Sequence, residues 1–422
     1  MKKIIVEGLD IEVYEDELSN GLKIYLCNIP RYMIHARITS LFGGSTLEFK
    51  VDDEFVKVPA GVAHFLEHKL FDKKDYDPLT VFENNGASGN AFTNEFITSY
   101  HFTGAEHFFE NLIELLTFVH DPYFTEENVE KEKGIIIQEK KEDMDSNYSK
   151  VYDRALLNTF HNLDYKNSVL GSLEDIKSIT KDDLYKCYRT FYHPSNMILT
   201  ICGDIEIEKT LELIKKFYSK RDFGKKKKII LKEKKEPNTV VRKRQIIYGD
   251  NFSDEILVMY KINKPKIEED DYLNKIYFSM FVDMNFSGLS EIVDITSNDK
   301  KFLSPISPRI GEIDDFYTLC FKTTVKKDCD EVIDLIDKTL KKTDFDEKRF
   351  KLIKKAILNS MVLSSESPYE ICSAIVNQVR LYGNVISDVH KKIKELDFKK
   401  FKRYVKEVDL NNRCVVVLKP KQ

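Results

Sequence analysis

The stretch of sequence that decides the fold is Gly61-Val62-Ala63-His64-Phe65-Leu66-Glu67-His68. Its apolar periodicity predicts a helix from Val62 to about Leu70. Because residues three and four positions apart lie on one face of a helix, His64, Glu67 and His68 converge on one point. Two imidazoles one turn apart can bind zinc at roughly 2.1 Å, and a carboxylate beside them can take the proton from a zinc-bound water. The pattern His-x-x-Glu-His therefore predicts a zinc-dependent hydrolase.

A catalytic zinc site normally has three protein ligands and a water molecule, so a third ligand has to come from elsewhere in the chain. A further helix is predicted from Glu126, and within it Glu132 and Glu139 are two helical turns apart and share a face. The spacing leaves open which of the two reaches the metal. It also leaves open the alternative that these polar residues are ordinary solvated side chains, as we expect for Glu130 and Glu142.

The segments around these helices predict a mixture of strands and helices. Asn20-Gly21 is a turn signal between two β-type runs and predicts a hairpin. Ser88 to Phe102 is rich in Phe, Thr, Ile and Tyr and predicts extended chain, whereas Glu106 to Val119 has the apolar spacing of an amphipathic helix. The other predicted strands are Ile11 to Tyr14, Leu22 to Asn28 and Ala36 to Phe42.

The length and charge of the chain exclude several classes of protein. A chain of 422 residues exceeds what one hydrophobic core usually supports, so we expect two domains of about 200 residues each. The net charge of -4 gives no overall attraction to a polyanion, which argues against nucleic acid as a partner. No run of about 18 consecutive apolar residues occurs, so we expect no membrane-spanning helix.

The cysteines and the first residues of the chain predict a cytoplasmic location. The 7 cysteines are scattered and form no CxxC pair, which favours buried, reduced thiols. The apolar run after Met1-Lys2-Lys3 ends at Glu7 and is too short for the central region of a signal peptide.

A lysine-rich stretch between Lys215 and Arg244 marks the predicted boundary between the domains. It contains the run Lys225 to Lys228. We interpret the stretch as a solvated, extended linker, and the alternative is a patch that binds phosphate or an acidic partner. The predicted division is an N-terminal zinc-binding domain, residues 1–220, a linker, residues 221–244, and a C-terminal domain, residues 245–422.

A weak internal echo favours two equivalent domains. Thr180 to Thr200 and Asp397 to Val417 each predict an amphipathic helix followed, after an Asn, by an apolar strand. Chance can also produce this pattern, because a helix followed by a strand is common.

Several motifs besides the zinc helix resemble the pitrilysin/insulinase family of zinc peptidases, which are identified by this inverted motif. The resemblance covers nearly half of the chain. The segments that carry it are Gly61 to Phe71, Asn85 to Thr93 with Thr98 and Tyr100, Asp121 to Phe124, Glu130 to Glu139, and His193 to Met197 with Gly203-Asp204.

The resemblance implies a complete zinc site with one Zn2+ per chain. It assigns Glu139 as the third ligand and Glu132 as an accessory carboxylate that holds a ligand or a substrate group. Glu67 becomes the general base that activates water and then hands the proton to the leaving amine. The segment Asn85 to Thr93 becomes an edge strand that binds an extended peptide through backbone hydrogen bonds, which implies broad specificity. Asn90, Ala91 and Phe92 line the groove for this peptide.

The family resemblance also implies the architecture. We expect an α+β fold with two similar domains, each a mainly antiparallel sheet covered by helices, as in the mitochondrial-processing-peptidase-like metallohydrolases. In the family such domains face each other across a closed chamber formed with a second subunit.

One departure from the family concerns the groups that stabilise the oxyanion. Active members use an Arg and a Tyr, seven residues apart, in a C-terminal domain. After Phe286 to Ser290, where that pair is expected, Glu291 to Asp299 contains no Arg, and the residue seven positions after Arg309 is Phe316 rather than Tyr317. Oxyanion donors contribute a few kcal/mol each, so an isolated chain without them is expected to be crippled. The chain most resembles the zinc-motif subunit of two-subunit bacterial members, and we expect a homologous partner that carries the pair; a homodimer is less favoured.

Two alternatives to a general peptidase subunit remain open. The first is a non-catalytic structural subunit of a larger complex. The second is a leader peptidase that matures a ribosomally made peptide, which the residues at the metal cannot distinguish from general peptide turnover.

Other histidines near these motifs stand alone in the sequence. A lone histidine is more often a hydrogen-bonded structural residue than a ligand, so we expect no site there. These residues are His101, His107, His120 and His193.

Overall fold

The chain builds two compact units from interleaved segments. The computed structural model describes residues 1–30, 33–288 and 290–421. Leu289, which belongs to the segment Phe286 to Ser290 named above, therefore lies outside the described residues. The chain divides into two compact units. Unit 1 comprises Met1–Lys140, Asn167–Glu233 and Met361–Val389, and unit 2 comprises Lys141–Lys166, Lys234–Ser360 and His390–Gln422.

Unit 1 is built on a 7-stranded sheet. Its strands are β1 (Lys2–Val6), β2 (Ile11–Glu17), β3 (Lys23–Asn28), β4 (Ile34–Ser40), β7 (Ala87–Thr93), β8 (Thr98–Gly104) and β9 (Met197–Gly203). Their order is β1-β2-β3-β9-β4-β8-β7, and all neighbours are antiparallel except the parallel pair β3 and β9. The strand β7 therefore lies at an edge of the sheet. The hairpin predicted around Asn20-Gly21 is confirmed, because β2 pairs with β3 and Gly21 has a φ of 87°.

A second, 3-stranded sheet of unit 1 has the order β10-β5-β6. It is formed by β5 (Glu48–Val51), β6 (Glu54–Lys57) and β10 (Ile229–Leu231). Since β10 lies inside the predicted linker, part of that segment is paired with the N-terminal region rather than extended in solvent. Lys227 also forms an ion pair with Asp52, at 2.8 Å.

Helices cover the sheet of unit 1 and bury its apolar residues. They are α1 (Val62–Phe71), α2 (Pro78–Asn84), α3 (Phe108–His120), α4 (Glu126–Asp145), α6 (Leu173–Ser178), α7 (Lys181–Phe191), α8 (Ile207–Ser219) and α13 (Pro368–Tyr382). The predicted zinc helix is thus confirmed as a helix. It begins after Gly61, whose φ is 90° and where an added Cβ would lie 2.4 Å from the carbonyl oxygen of Leu170. Only glycine fits this close approach of two backbones.

Unit 2 is built on a 5-stranded sheet with helices of its own. The strands are β11 (Arg244–Gly249), β12 (Asp254–Asn263), β13 (Ser307–Ile313), β14 (Phe316–Val325) and β15 (Arg413–Pro420). The helices are α5 (Asn147–Thr159), α9 (Asp271–Phe286), α10 (Glu291–Asn298), α11 (Cys329–Leu340), α12 (Glu347–Ser364), α14 (Val389–Lys394) and α15 (Phe398–Lys406). The last residues of α4 and most of α12 and α14 also belong to unit 2.

The two sheets share one topology. The order β11-β15-β12-β14-β13 repeats β3-β9-β4-β8-β7, and in each the first two strands are parallel while the others are antiparallel. The predicted α+β fold with two similar, mainly antiparallel sheets is confirmed. The strands of the sequence echo, β9 and β15, occupy equivalent places in the two sheets.

Each sheet is also covered by a helix that comes from the other half of the sequence. In unit 1, α13 packs on β4 and β9, and in unit 2, α5 packs on the equivalent strands β12 and β15. The compact units are therefore not the continuous segments 1–220 and 245–422 that we predicted. The apolar faces of these two helices are buried on sheets that lie far from them in sequence, which local patterns do not reveal.

None of the helices in the described part of the chain is long and apolar enough to span a membrane. All 7 cysteines are buried and free. The largest apolar cluster of unit 1 lies between its sheet and the helices α1, α3, α7 and α8. The zinc helix is part of this cluster, so the helix face that carries His64, Glu67 and His68 has a rigid support.

Candidate metal centre

Two helices of unit 1 bring His64, His68 and Glu139 together. The two histidines lie on α1, with ring centroids 4.6 Å apart, and Glu139 lies on α4. The carboxylate of Glu139 spans both rings, with Oε1 at 3.6 Å from His64 Nε2 and Oε2 at 3.6 Å from His68 Nε2.

The contact between α1 and α4 is fixed by buried polar groups. Lys69 of α1 has no exposed surface and donates to the carbonyl oxygen of Asn128, at 3.3 Å, and to Asp72. Asn128 lies in the first turn of α4, where its backbone N–H donates to Thr125 Oγ1, at 3.1 Å. Because a buried ammonium group loses its hydration, these bonds hold the start of α4 against the end of α1.

The spacing of the three side chains fits a tetrahedral metal ion. Ligand bonds near 2.1 Å at tetrahedral angles place two donor atoms roughly 3.4 Å apart, close to the 3.6 Å between each imidazole nitrogen and Glu139. Among the described residues, this is the one group of three or more His, Cys, Asp or Glu that meets the geometry of a metal site. Burial, with a smaller effect of His68, lowers the pKa of His64 to about 3, so its ring is neutral and offers a lone pair.

Glu132 has a different place from Glu139. Its Oε1 lies 2.9 Å from His68 Nδ1, on the side of the ring away from Glu139. Burial by itself lowers the pKa of His68, but the hydrogen bond with Glu132 and the charges of Glu132, Glu139 and Glu67 outweigh it and raise this pKa. When Nδ1–H donates to Glu132, the lone pair of Nε2 points to the position shared with His64 and Glu139. The structure thus distinguishes the two carboxylates that the helical spacing left equivalent.

Glu67 lies beside this group and is held by a residue that the sequence reasoning did not assign. Thr93 Oγ1, at the end of β7, donates to Glu67 Oε2 at 2.6 Å. Thr98 Oγ1 lies 3.3 Å from Thr93 Oγ1 and donates to the carbonyl oxygen of Phe42, at 2.9 Å. Burial raises the pKa of Glu67, against the opposing effects of Thr93 and His68. Successive side chains of a strand point to opposite faces. The sequence signal for Thr93 is therefore its position two residues after Ala91, which puts both side chains on one face.

The predicted groove residues lie on the open edge of the sheet, but not on one face. Ala91 packs towards the cluster that contains α1, whereas Phe92 packs on the opposite face, with its ring 5.5 Å from the guanidinium of Arg37. The backbone N–H of Ala91 donates to Asn90 Oδ1, at 2.8 Å, and is therefore not used in the ladder with β8. This N–H points to the free edge of β7, where an extended peptide can replace the Asn90 amide as acceptor.

Arg309 and Tyr317 are each engaged with other residues of unit 2 and do not form a pair that faces a substrate. Arg309 lies on β13 and donates to the hydroxyl of Tyr148, at 2.9 Å. Tyr317 is 1% exposed and its ring stacks on Phe278 at 4.3 Å. Burial of Tyr317 in the core of unit 2 makes it unavailable to a peptide.

Comparisons with known proteins match both halves of the chain. A family model described as insulinase, peptidase family M16, matches residues 57–172, and one described as the peptidase M16 inactive domain matches residues 178–357. The chain belongs to the insulinase family. The first of these matches contains all the residues of the candidate metal centre. The family is one of peptidases, and some of its domains are inactive.

Named relatives include two kinds of protein. The uncharacterized zinc protease YmfH of Bacillus subtilis is 38% identical over 268 residues, which are 63% of this chain and 63% of the relative. The mitochondrial-processing peptidase subunit beta of Homo sapiens is 29% identical over 160 residues, which are 37% of this chain and 33% of that protein. The matched regions thus span less than two thirds of these relatives.

Solved structures of the family share the fold along the whole chain. An M16-like peptidase from Alicyclobacillus acidocaldarius has a TM-score of 0.90 and 26% identity, with 99% of this chain and 100% of that chain covered. The periplasmic protease PqqL of Escherichia coli has a TM-score of 0.76 and 18% identity, and the match covers 99% of this chain but 48% of PqqL. This insulinase-family chain is therefore equivalent in fold to half of PqqL.

We expect Glu132→Gln to weaken zinc binding by about 10- to 100-fold without unfolding the chain, because an amide holds the His68 ring less well than a carboxylate. The measurement is zinc affinity by competition with a chromogenic chelator. Glu130→Gln, in the same helix and exposed, is the matched control and should bind zinc like the unmodified chain. Equal affinity in Glu132→Gln and the control would show that Glu132 does not support a ligand.

Proposed function

We propose that the chain is the zinc-bearing subunit of a zinc-dependent endopeptidase. The observation that carries this proposal is the position of Glu139, whose two carboxylate oxygens lie 3.6 Å from the Nε2 atoms of His64 and His68, beside the half-buried carboxylate of Glu67. The family, and the zinc protease among its relatives, support the same function.

In this proposal His64, His68 and Glu139 hold one Zn2+, and Glu132 orients His68. Zinc held by these residues would polarise a peptide carbonyl and would lower the pKa of a water molecule to about 7. The side chain of Glu139 is 43% exposed, so the site is open on that side to water and to a peptide.

Glu67 acts as the general base. Its Oε2 is engaged by Thr93, so the orientation of the carboxylate is set before a substrate binds, and the other oxygen can take a proton from water. The same carboxyl group then delivers the proton to the nitrogen of the leaving amine. Burial favours this exchange, because it makes the protonated form of Glu67 more accessible than in water.

The substrate is an extended peptide that adds to the free edge of β7. The backbone N–H of Ala91 is available at this edge, and backbone hydrogen bonds bind a peptide with little regard to its sequence. Asn90 and Phe92 contact the peptide from the face opposite to Glu67. Because the backbone of the peptide is recognised rather than its side chains, we expect broad specificity for the peptides that enter the closed chamber.

We further propose that a homologous partner subunit supplies the Arg and Tyr that stabilise the oxyanion. The chain contains no such pair at the expected position, and Tyr317 is buried. Two facts support a paired assembly: the chain matches 48% of PqqL, and relatives in the family are named as subunits. A heterodimer follows if the partner is a paralogue, and a cytoplasmic, bacterial setting stays a prediction.

The non-catalytic alternative has one observation in its favour, because the family model that matches residues 178–357 is described as an inactive domain. The candidate metal centre lies outside that match. A structural subunit has no need of a half-buried carboxylate held next to three ligands, so the proposal of a peptidase is preferred. Leader removal from a ribosomally made peptide remains a special case of the same chemistry.

We expect Glu67→Gln to abolish peptide hydrolysis, with a loss of at least about 100-fold in kcat, while zinc binding is retained. The amide cannot accept the proton from water, yet it preserves the shape of the site. The measurement pairs hydrolysis of a peptide mixture by the native complex with its zinc content. Hydrolysis at the unmodified rate would refute the role of Glu67, and a zinc-free but normally assembled complex would favour the scaffold.

Replacement of Thr93 separates positioning of the base from packing. We expect Thr93→Val to lower kcat about tenfold with little change in KM, because the isosteric side chain keeps the shape but loses the 2.6 Å bond to Glu67. Thr93→Ser keeps the hydroxyl and should restore most of the rate. If Val and Ser variants have equal kcat, Thr93 has no part in orienting Glu67.

The proposed partner can be tested by comparing the purified chain with the complex isolated from its native cells. Each missing oxyanion donor costs about 100- to 1000-fold in kcat, so the chain alone should cleave peptides more slowly than the complex by at least that factor. Native mass spectrometry identifies the partner. Full activity of the chain alone would contradict the assignment of the oxyanion donors to a second subunit.

A further inference from the structure

Unit 1 has a second polar pocket that contains none of the residues of the candidate metal centre. It has a volume of about 420 Å3, within the roughly 300–1,000 Å3 range of small-molecule sites. The pocket lies where α3, α7 and α8 end, and its lining includes two of the histidines that we expected to be purely structural. They are His120, the last residue of α3, and His193, which follows α7.

Both imidazoles are buried and each has a ring nitrogen without a hydrogen-bond partner among the described residues. Each side chain is 7% exposed. His120 Nε2 lies 2.7 Å from the hydroxyl of Tyr218, and its Nδ1 is left without a partner. His193 Nδ1 accepts from the backbone N–H of Ser195, at 3.2 Å, so the neutral ring carries its hydrogen on Nε2, which is buried near the backbone of Gly224 and forms no well-aligned hydrogen bond there. A buried donor without an acceptor is costly, and a bound ligand removes that cost.

Cationic side chains surround these rings. Arg189, Arg221 and Lys227 line the pocket, against the carboxylates of Asp121 and Asp222. Asp121 pairs with Arg221, at 3.0 Å. Lys227 pairs with Asp52, at 2.8 Å, so Arg189 is the lining cation that no carboxylate of the described residues pairs with.

The positive field of the pocket also acts on the histidines. Burial and then the charge of Arg221 lower the pKa of His120 to about 3. Burial and the charges of Lys226 and Lys227 lower the pKa of His193, against an opposing effect of the Gly224 backbone. Both rings therefore stay neutral, and the cations lining the pocket are not balanced by them.

Attraction to the C-terminal ends of the helices does not by itself account for these cations. Carbonyl groups at the C-terminus of a helix attract cations, and this effect could by itself account for basic residues here. The end of α3, however, is already served by Lys73, whose Nζ donates to the carbonyl oxygens of Phe118 and Asp121, at 2.6 Å each. The guanidinium of Arg221 instead lies over the ring of Phe217, at 3.9 Å, with nitrogen atoms left for a further acceptor.

The floor of the pocket is aromatic. Tyr188 and Tyr192 stack with ring centroids 5.1 Å apart, and Phe223 packs edge-on against His120, at 5.0 Å. A flat ring can lie on such a floor while an attached anion meets the basic rim. Arginine is the side chain best suited to a phosphate group, because its planar donors match two oxygens at once.

We propose that this pocket binds a small phosphate-bearing molecule. The site accounts for part of the lysine-rich stretch, which we first interpreted as a solvated linker, because Lys227 lines the pocket while Lys226 does not. The ligand is either free phosphate, which uses the basic rim alone, or a phosphorylated compound with a flat ring, which uses the floor as well. Binding there does not depend on the peptidase proposal.

The test is isothermal titration of the full, zinc-loaded chain with inorganic phosphate, with adenosine monophosphate and with adenosine. We expect saturable binding of phosphate, and binding of the monophosphate at least about tenfold tighter if the aromatic floor is used. Arg221→Gln and Arg189→Gln should each weaken binding about tenfold or more. Lys225→Gln is the matched control, since Lys225 is exposed, lies in the same lysine run and does not line the pocket, and this variant should change the affinity less than about twofold.

The outcomes distinguish free phosphate from a phosphorylated compound with a flat ring, and a specific site from unspecific attraction to the lysine run. Equal affinity for phosphate and the monophosphate identifies free phosphate as the ligand, and tighter binding of the monophosphate identifies a ring-bearing ligand. Adenosine that binds as tightly as its monophosphate would overturn the proposal, as would absence of saturable phosphate binding. So would an equal loss in Lys225→Gln, which would indicate unspecific attraction to the lysine run. Because Arg189 is exposed, its variant tests the site even if Arg221→Gln lowers the melting temperature.

Discussion

The contact between α1 and α4 is the constraint on which the rest of this structure depends. The two carboxylate oxygens of Glu139 on α4 lie 3.6 Å from the Nε2 atoms of His64 and His68 on α1, a distance that leaves room for one ion between them. Side chains held on one helix would be brought together by helical spacing alone, but Glu139 has to be delivered by a second helix. The buried Lys69 and its bond to the start of α4 set that distance. The apolar faces of both helices supply the support, since α1 is largely buried and α4 inserts Val129 and Ile136.

The same sheet serves the metal centre in two ways. Its edge strand β7 places Thr93 beside Glu67 on one face and leaves backbone groups free along its outer edge. In the proposed function, a peptide that joins this edge is brought next to Glu67. Free edges usually have to be protected from aggregation, and the proposed peptide site would give this exposed edge a use.

The repeated topology accounts for a second sheet that has no group of metal-binding geometry among its described residues. Both units have the same five-stranded arrangement, and each is covered by a helix from the opposite half of the sequence, α13 on β4 and β9 and α5 on β12 and β15. Duplication followed by divergence can preserve such a frame while the chemistry is kept in one copy. The Arg and Tyr nearest to the pair that the family resemblance implies are engaged elsewhere in unit 2, with Tyr317 buried and Arg309 bonded to Tyr148.

Much of the metal centre was determined by the sequence itself, because a helix has a fixed period. The convergence of His64, Glu67 and His68, the helix from Val62 and the hairpin at Gly21 all follow from spacing over a few residues. Only the tertiary structure decided that Glu139 spans both imidazoles while Glu132 bonds to the far side of His68, since both carboxylates lie on the same helical face. Packing also decided the role of Thr93 and the second pocket around His120 and His193. It likewise decided that α5 and α13 each cover a sheet from the opposite half of the sequence. These features depend on contacts between residues that are far apart in the chain, and local periodicity carries no information about such contacts.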